Sequence, residues 1–471
     1  MNKQLENDLK QFNNILEKVK SQGLDYLNTI TNRPTSTPYT VDQNNVLDEN
    51  GIGTLGALEN FNSRLEPLMV ASSGPRYWGF VTGGTTPAAI AGDWLTSVYD
   101  QNTRGTQGQG GTCAVIETET IQLLLDLFQL PRDYFGGFVT GATMSNFTCL
   151  AVARQWLGKI MGRDVARDGL SHSIKILTAT PHSSVLKSLS LLGIGSNNII
   201  SIKTLPGNRE AIDIADFEEK ILALNGEPFV FIGSGGTVNT VDFDDFEAIA
   251  KLKQQHEFWW HIDAAFGGFA VCSPTHQHLL NGWEFADSIT IDCHKWLNVP
   301  YESAVFFVKE KYSRLQVATF QNANAPYLGD PMEDFSYLNF LPENSRRLKA
   351  LPTWFTLTAY GKKGIRDIVE NNIKLAQEFG QFITQSIAFE LLAPVRLNTV
   401  CFTLTGAENQ DKVYNFLEEL NKTGNVFMTP TMYREQKGIR AGFVNWRTTA
   451  EDVQQVTTLM NTIYNKLNTI I

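Results

Sequence analysis

No apolar run in this chain reaches the ~20 residues that a membrane-crossing helix needs. The opening stretch, MNKQLENDLKQF, lacks the apolar core of an export signal. Cysteine is scarce. The five present (Cys113, Cys149, Cys272, Cys293 and Cys401) are odd in number, scattered and without a CxxC pair, which argues against a disulfide framework and for a reducing compartment. Compact metal-ligand spacing is missing too. His261, Cys272, His276, His278, Cys293 and His294 lie near one another in sequence but form no CxxC or HxxxH pattern, so no metal is expected. Charged residues are only 19% of the chain, and acidic side chains outnumber basic ones by 49 to 39. A net charge of −10 disfavours nucleic acid or an anionic membrane as the main partner. The expectation is a soluble cytoplasmic protein without repeats or low-complexity tracts.

What is present is ample material for a core. With 471 residues, 42% of them hydrophobic, the chain suits two or three packed units. Leu5, Leu9, Phe12, Ile15, Leu16 and Val19 recur at three- and four-residue steps and predict an opening amphipathic helix whose stripe needs a cover. TNRPTSTPYTVDQNN reads as an extended linker. From about Ser72 to Leu341, short apolar runs (Ile174–Leu177, Phe229–Ile232, Phe258–Ile262, Ser288–Ile291, Ala304–Val308) alternate with helical patterns such as Phe243–Gln255. That alternation predicts an α/β fold with a mostly parallel sheet. After Arg346 come two helical stretches over about Trp354–Ile387, strands near Val400–Leu404 and Ile439–Val444, and a closing helix from Glu451, the pattern of a smaller α+β domain.

Ligands of doubly wound sheets bind at the carboxyl ends of strands. Asp263 directly follows FWWHI, and Lys295 follows SITIDCH. An amine that can form a Schiff base and a carboxylate that can hold a pyridinium nitrogen are the groups pyridoxal phosphate chemistry needs most. Taken alone, Asp263 is equally a helix cap and Lys295 a solvated lysine. In FGGFVTGATMSNFTCL, a Gly-rich turn (Gly136, Gly137, Gly141) precedes Thr143, Ser145 and Asn146 at a helix start. Such a start binds phosphate through free N–H groups and hydroxyls, although Ser and Asn also serve as plain N-caps. In TATPHSSVLKSL, His182 sits just past a strand, placed either to stack on a flat ring or as an ordinary loop histidine.

Together these segments resemble the group II pyridoxal phosphate-dependent decarboxylases of fold type I. HIDAAFGG, EFADS and CHKW resemble that family's aspartate and lysine motifs, TPHSSVLKS its ring-stacking histidine segment and GATMSN its phosphate segment. The resemblance continues through Phe80-Val-Thr82, APYL around Tyr327, SRRLKALPTWF and GIRAGFVNWRTT. HLLNGWEFADS and YGKKG resemble the aromatic-L-amino-acid decarboxylase branch in particular. The resemblance implies a seven-stranded, mostly parallel sheet with helices on both faces and a smaller C-terminal α+β domain. Its implied divisions are an N-terminal dimer-wrapping segment (1–70), a large cofactor domain (71–345) and a small domain (346–471).

By the same resemblance, Lys295 is the Schiff-base lysine, Asp263 holds the ring nitrogen, His182 stacks on one ring face and Ala265 packs on the other. Ser145, with Thr143, the Met144 backbone and His294, holds the phosphate. Thr82 orients the substrate carboxylate, and Tyr327, in the lid-like stretch QNANAPYLGDPMED, returns a proton after CO₂ loss. Two positions depart from the family pattern. Asp292-Cys293 stands where many members have Asn-Pro, so a carboxylate near the phosphate must be turned away or paired. Val238 stands where a second threonine is common, which leaves Thr237 as the remaining hydroxyl. The family's usual state is a homodimer with the active site at the interface. Tyr77, Trp78 and Phe80 either line an apolar substrate pocket or belong to the core. The expected reaction is decarboxylation of an aromatic amino acid. Glutamate, aspartate, cysteine sulfinate or diaminobutyrate as substrate, or an aldehyde synthase, are the alternatives. A catalytically silent scaffold on this fold is the reading from another class, and intact Asp263, His182 and Lys295 speak against it.

Overall fold

Seven short strands are buried on both faces and make the centre of the molecule in a computed structural model, which describes residues 2–38, 46–106, 111–321, 332 and 335–469. They are β1 (Tyr134–Val139), β2 (Lys175–Thr178), β3 (Ile199–Ser201), β4 (Phe229–Ser234), β5 (Trp259–Asp263), β6 (Ser288–Ile291) and β7 (Ala304–Lys309). Their order is β1-β7-β6-β5-β4-β2-β3. Strands β6, β5, β4, β2 and β3 run parallel, while β7 is antiparallel to both β6 and β1. The mostly parallel seven-stranded sheet is therefore present, and β1 points the same way as β6. Of the expected runs, all five are strands. FGGFV, expected as a turn, is instead strand β1: Gly136 and Gly137 lie opposite Phe307 and Phe306. A Cβ at either would press on a Phe306 atom from about 3 Å, so glycine here serves close packing rather than a bend.

Side chains alternate between two hydrophobic clusters, as a period of two dictates. Phe229, Phe231, Trp260, Ile262 and Phe307 face one, with Ile289 and Ile291. Val230, Ile232, Trp259, Phe306 and Val308 face the other, against Cys149, Leu150 and Ala153 of the helix Ala142–Ile160. Burying one such apolar side chain contributes about 1.5–3 kcal/mol. The polar residues His261, Asp263, Ser288 and Thr290 fall in phase with Trp259, on the face that this helix covers.

A second sheet, ordered β10-β11-β9-β8, comprises β8 (Phe389–Leu391), β9 (Thr399–Leu404), β10 (Thr429–Tyr433) and β11 (Gln436–Gly442). The helix Ala350–Gln385 precedes it, with non-helical backbone at Gly361 (φ 57°, ψ −173°), which accounts for the two helical stretches expected. The segment around Trp78, expected in the large domain, runs along this second sheet. Trp78 N–H donates to the Phe427 carbonyl at 2.9 Å, and Gly442 N–H to the Trp78 carbonyl at 2.8 Å.

The N-terminal stripe is uncovered within the subunit. It forms two helices, Lys3–Lys10 and Phe12–Thr29, in which only Ile15 is buried; Leu9 is 67% and Phe12 54% exposed.

Glu117 and Arg346 form a buried pair that joins three parts of the chain. Glu117 Oε1 accepts from Phe138 N–H of β1 at 2.9 Å and from Arg346 Nη1 at 3.1 Å, and the guanidinium lies 4.7 Å from the Tyr337 ring centroid. Removing one partner strands a buried charge. Arg346→Met should lower the unfolding free energy by about 3–5 kcal/mol in denaturant titrations, because the Glu117 carboxylate is left with an amide donor alone.

Candidate active site

The parallel strands end on one edge, and most of the candidate residues gather there. β5 ends at Asp263; β6 leads into Asp292, His294 and Lys295; β4 leads into Gly235–Thr237; β2 leads to His182. A cavity of about 320 Å³ opens on this edge, lined by Asp263, Ala265, His182, Lys295, His294 and Thr237, with Phe80 at its rim. The helix Ala142–Ile160 follows β1 and starts at the same edge. Its N-cap, Gly141, offers no side chain, and the first intrahelical donor is Ser145 N–H to the Gly141 carbonyl at 3.0 Å. The N–H groups of Ala142, Thr143 and Met144 are thus the free donors of a helix N-terminus, suited to an anion. A Cβ on Gly141 would lie 3.6 Å from His294 Cε1, so this cradle adjoins the His-Lys segment.

Asp263 is held by two donors: Asn146 Nδ2 to Oδ2 at 3.0 Å and Ala265 N–H to Oδ1 at 3.2 Å. Asn146 also donates to Ser184 Oγ at 3.1 Å, and Ser184 Oγ lies 2.8 Å from His182 Nδ1. Because Ser184 N–H also points at that nitrogen (3.2 Å), Nδ1 is the acceptor and the His182 proton sits on Nε2. Burial pushes the His182 pKa below its ordinary value, partly offset by Asp263. On its other side Asn146 Oδ1 lies 2.9 Å from His261 Nε2, and His261 Nδ1 lies 2.9 Å from Ser288 Oγ. Asn146 was expected only as part of the phosphate-binding helix start, and Ser184 and His261 were not expected to serve the site, although the two-residue period places His261 and Asp263 on one face.

Lys295 Nζ pairs with Asp292 Oδ2 at 2.9 Å and lies 5.5 Å from the Phe266 ring centroid. Asp292 is buried and its Oδ1 has no hydrogen-bond partner, with His294 Nε2 at 3.7 Å. The carboxylate that departs from the family pattern is therefore paired, with the lysine itself. His294 accepts Ser303 N–H on Nδ1 (3.3 Å) and its ring lies 4.3 Å from that of Tyr301; burial lowers its pKa.

Several expected contacts fall elsewhere. The Ser145 hydroxyl is fully buried and turned into the sheet, 2.8 Å from Thr290 Oγ1 and 3.0 Å from the Val305 carbonyl. It pins the helix to β6 and β7, so the cradle is made by backbone N–H groups, not by this hydroxyl. The Thr237 hydroxyl donates to Glu210 Oε2. Trp78 does not line the cavity: its indole is buried against Phe379 and Phe443, and Nε1 donates to the Pro75 carbonyl. Thr82 is not among the residues lining the cavity, and its hydroxyl lies 3.4 Å from the Tyr301 phenol. Tyr327 lies outside the described residues. Arg440 of β11, not anticipated from the sequence, also lines the cavity; it donates to the Val238 carbonyl at 3.1 Å, and burial lowers its pKa.

One side chain joins the lysine segment to the rest of the molecule. Asn298, fully buried with left-handed backbone (φ 55°), accepts Gly84 N–H (2.9 Å) and Trp446 N–H (3.1 Å) on Oδ1. Its Nδ2 donates to the Trp296 (2.7 Å) and Val444 (2.9 Å) carbonyls. Beside it Gly83 crosses so close that a Cβ would collide with the Lys295 carbonyl.

An amine, a held carboxylate, a flat imidazole and free helix-start amides fit a phosphorylated pyridine aldehyde: each polar part of such a molecule finds a group of complementary charge. The comparisons agree. The chain matches the family described as pyridoxal-dependent decarboxylase conserved domain over residues 44–405. The aromatic-L-amino-acid decarboxylase of Bacillus atrophaeus is 27% identical over 450 residues, spanning 92% of this chain and 91% of that protein. The phenylacetaldehyde synthase of Arabidopsis thaliana is 24% identical over 395 residues, 79% of this chain and 78% of that one. The crystal structure of Oryza sativa TDC with PLP and tryptamine matches with a TM-score of 0.88 at 22% identity, covering 97% of this chain and 98% of that one; this likeness speaks for the fold alone.

Burial makes the site sensitive to acid. His261, ordinarily near 6.5, is held down at about 4 by burial. Between those values only the unfolded chain takes up the proton, so acidification through that window favours unfolding, by about 3 kcal/mol at most. Asp244, also at the cavity wall, opposes this: burial raises it from 3.8 to about 6, so the folded state binds its proton first and gains stability as pH falls. Denaturant titrations of the protein and His261→Gln should therefore differ in slope. The variant should lose less stability than the unaltered protein between pH 6.5 and 4; identical slopes would contradict a neutral buried His261.

Proposed function

Because the chain belongs to the pyridoxal-dependent decarboxylase family, a family of carboxy-lyases that use pyridoxal phosphate, we propose that it releases CO₂ from an aromatic L-amino acid to give the amine. The observation that carries the reading is the convergence of Lys295, Asp263 and His182 on one cavity beside the open start of the helix Ala142–Ile160. The cofactor, when bound, supplies an electron sink for the electron pair that CO₂ loss leaves on the α-carbon.

In this reading Lys295 would hold the cofactor through its amine, the group a Schiff base requires. Asp263 keeps a proton on the ring nitrogen, His182 covers one ring face and Ala265 leaves room on the other. The N–H groups of Thr143 and Met144, with His294, hold the phosphate. Arg440 is the one guanidinium among the described residues lining the cavity. It would hold the substrate carboxylate and so orient the bond to be broken. Tyr327 delivers a proton to the α-carbon, which closes the reaction as an amine rather than an aldehyde.

The aromatic preference draws on the relatives that act on aromatic amino acids and on the apolar wall made by Phe80, Val81 and Phe266. CO₂ release across a panel of L-amino acids should be fastest with phenylalanine, tyrosine, dopa or tryptophan. Release from glutamate, aspartate, cysteine sulfinate or diaminobutyrate alone would overturn that preference. The aldehyde-synthase alternative, favoured by the Arabidopsis relative, is separated by product. The unaltered protein should form amine and CO₂ one to one without hydrogen peroxide, and Tyr327→Phe should divert product to aldehyde.

We also read the protein as a cytoplasmic homodimer. Among the described residues no helix is long and apolar enough to cross a membrane. The exposed stripe of Leu5, Leu9, Phe12, Leu16 and Val19 has no cover in its own subunit, and Gly23 of the same helical arm lies beside Trp94, itself half-exposed. Exposed apolar side chains of this kind suit a second copy. Light scattering on the cofactor-loaded protein should give about twice the 52.6 kDa chain mass; an active monomer would refute the dimer.

A further inference from the structure

Asp263 is the last member of a hydrogen-bond chain whose direction can be read from atom types. Trp259 Nε1 can only donate, and it donates to Ser288 Oγ at 2.9 Å. The Ser288 hydroxyl proton is then free to point at His261 Nδ1, 2.9 Å away. Asn146 must turn its amide nitrogen to Asp263, since its oxygen there would face a carboxylate. Its Oδ1 is thereby left for His261 Nε2 at 2.9 Å, and that nitrogen must carry the imidazole proton. Every link thus donates towards Asp263. The chain is closed to water: Trp259, Ser288, His261 and Asn146 are all fully buried. It needs a neutral imidazole, and burial keeps His261 neutral down to about pH 4.

We propose that His261 and Asn146 are positioning residues for the reaction, forming with Ser288 a one-way donor relay that keeps the proton shared between Asp263 and the cofactor on the ring nitrogen. This rests on the pyridoxal phosphate reading above. Donors favour the charged form of any carboxylate they reach. In a buried chain each link polarises the next, which strengthens the last donor beyond an isolated amide. A carboxylate so supplied leaves the proton on the ring, where it makes the ring an electron sink. Without the relay the carboxylate draws that proton to itself. Asn146 has a second consequence. Its other amide hydrogen goes to Ser184 Oγ and so to His182, so one side chain fixes the group at the ring nitrogen and the imidazole assigned to the ring face.

The test reads the proton directly and needs no turnover. The protein is loaded with pyridoxal phosphate labelled with ¹⁵N in the ring, and the ring-nitrogen chemical shift is recorded. The unaltered protein should show a protonated pyridine. His261→Phe, which cannot donate, should move the resonance towards the neutral-pyridine position, and His261→Gln, whose amide can donate to Asn146, should keep it near the unaltered one. Asn146→Ala serves where His261→Phe does not fold, and should move the resonance the same way. If His261→Phe or Asn146→Ala binds cofactor with the ring resonance unmoved, the relay is refuted. Failure of the unaltered protein to bind the cofactor would instead overturn the reading on which the relay rests.

Discussion

Polar groups that lie under a helix inside a hydrophobic layer must find partners there, and this requirement organises the candidate site. His261 and Asp263 on β5, and Ser288 and Thr290 on β6, face the helix Ala142–Ile160 among residues such as Trp259 and Phe306. An unsatisfied group in such a place costs about 1–3 kcal/mol, so the rotation of the helix about its axis is not free. Only one phase brings Ser145 onto Thr290 and Asn146 between His261 and Asp263. That phase also fixes where the helix begins, and with it the three free amides beside His294. Carboxylate and anion cradle are thus set by one packing problem solved once.

Much of this was legible in the sequence, for a physical reason. Strand runs buried on both faces are apolar throughout, so the five expected strands stood out, and the residues directly after them, Asp263, His294 and Lys295, fell at the ligand-binding edge by topology alone. Glycine misled: in FGGFV it reads as a bend, whereas β1 needs it because Phe306 and Phe307 crowd the neighbouring strand. Ser145 misled in another way. A hydroxyl at a helix start is usually a cap or an anion ligand, and only the helix phase reveals that this one faces inward. Asn146 and His261 are 115 residues apart, and no local pattern couples them. Arg440 comes from the second sheet and meets the cavity through tertiary packing alone. Trp78 belongs to the C-terminal core because its segment hydrogen-bonds to Phe427 and Gly442.

The floor of the site says little about which reaction it serves. Decarboxylases and aldehyde synthases are both similar to this chain over most of its length, which follows if the groups beneath a bound ring answer to the cofactor rather than to the substrate. Differences in outcome must then lie above it, where Phe80, Tyr301 and Arg440 meet the cavity. A shared fold can thus host several chemistries through the groups placed around the substrate.

Asn298 gives the lysine segment an unusual mechanical setting. Its one amide holds the Gly84 crossing, the lysine turn and the Val444–Trp446 stretch that follows β11 together. It is one of several ties between the two parts, with the Thr431 hydroxyl on Asn239 Oδ1 and the Arg440 guanidinium on the Val238 carbonyl. Lys295, three residues away, therefore sits beside a buried amide that is satisfied by four backbone partners. The amine is thus set by buried backbone ties, while substrate meets the fold first at side chains that face water, Phe80 and Tyr301.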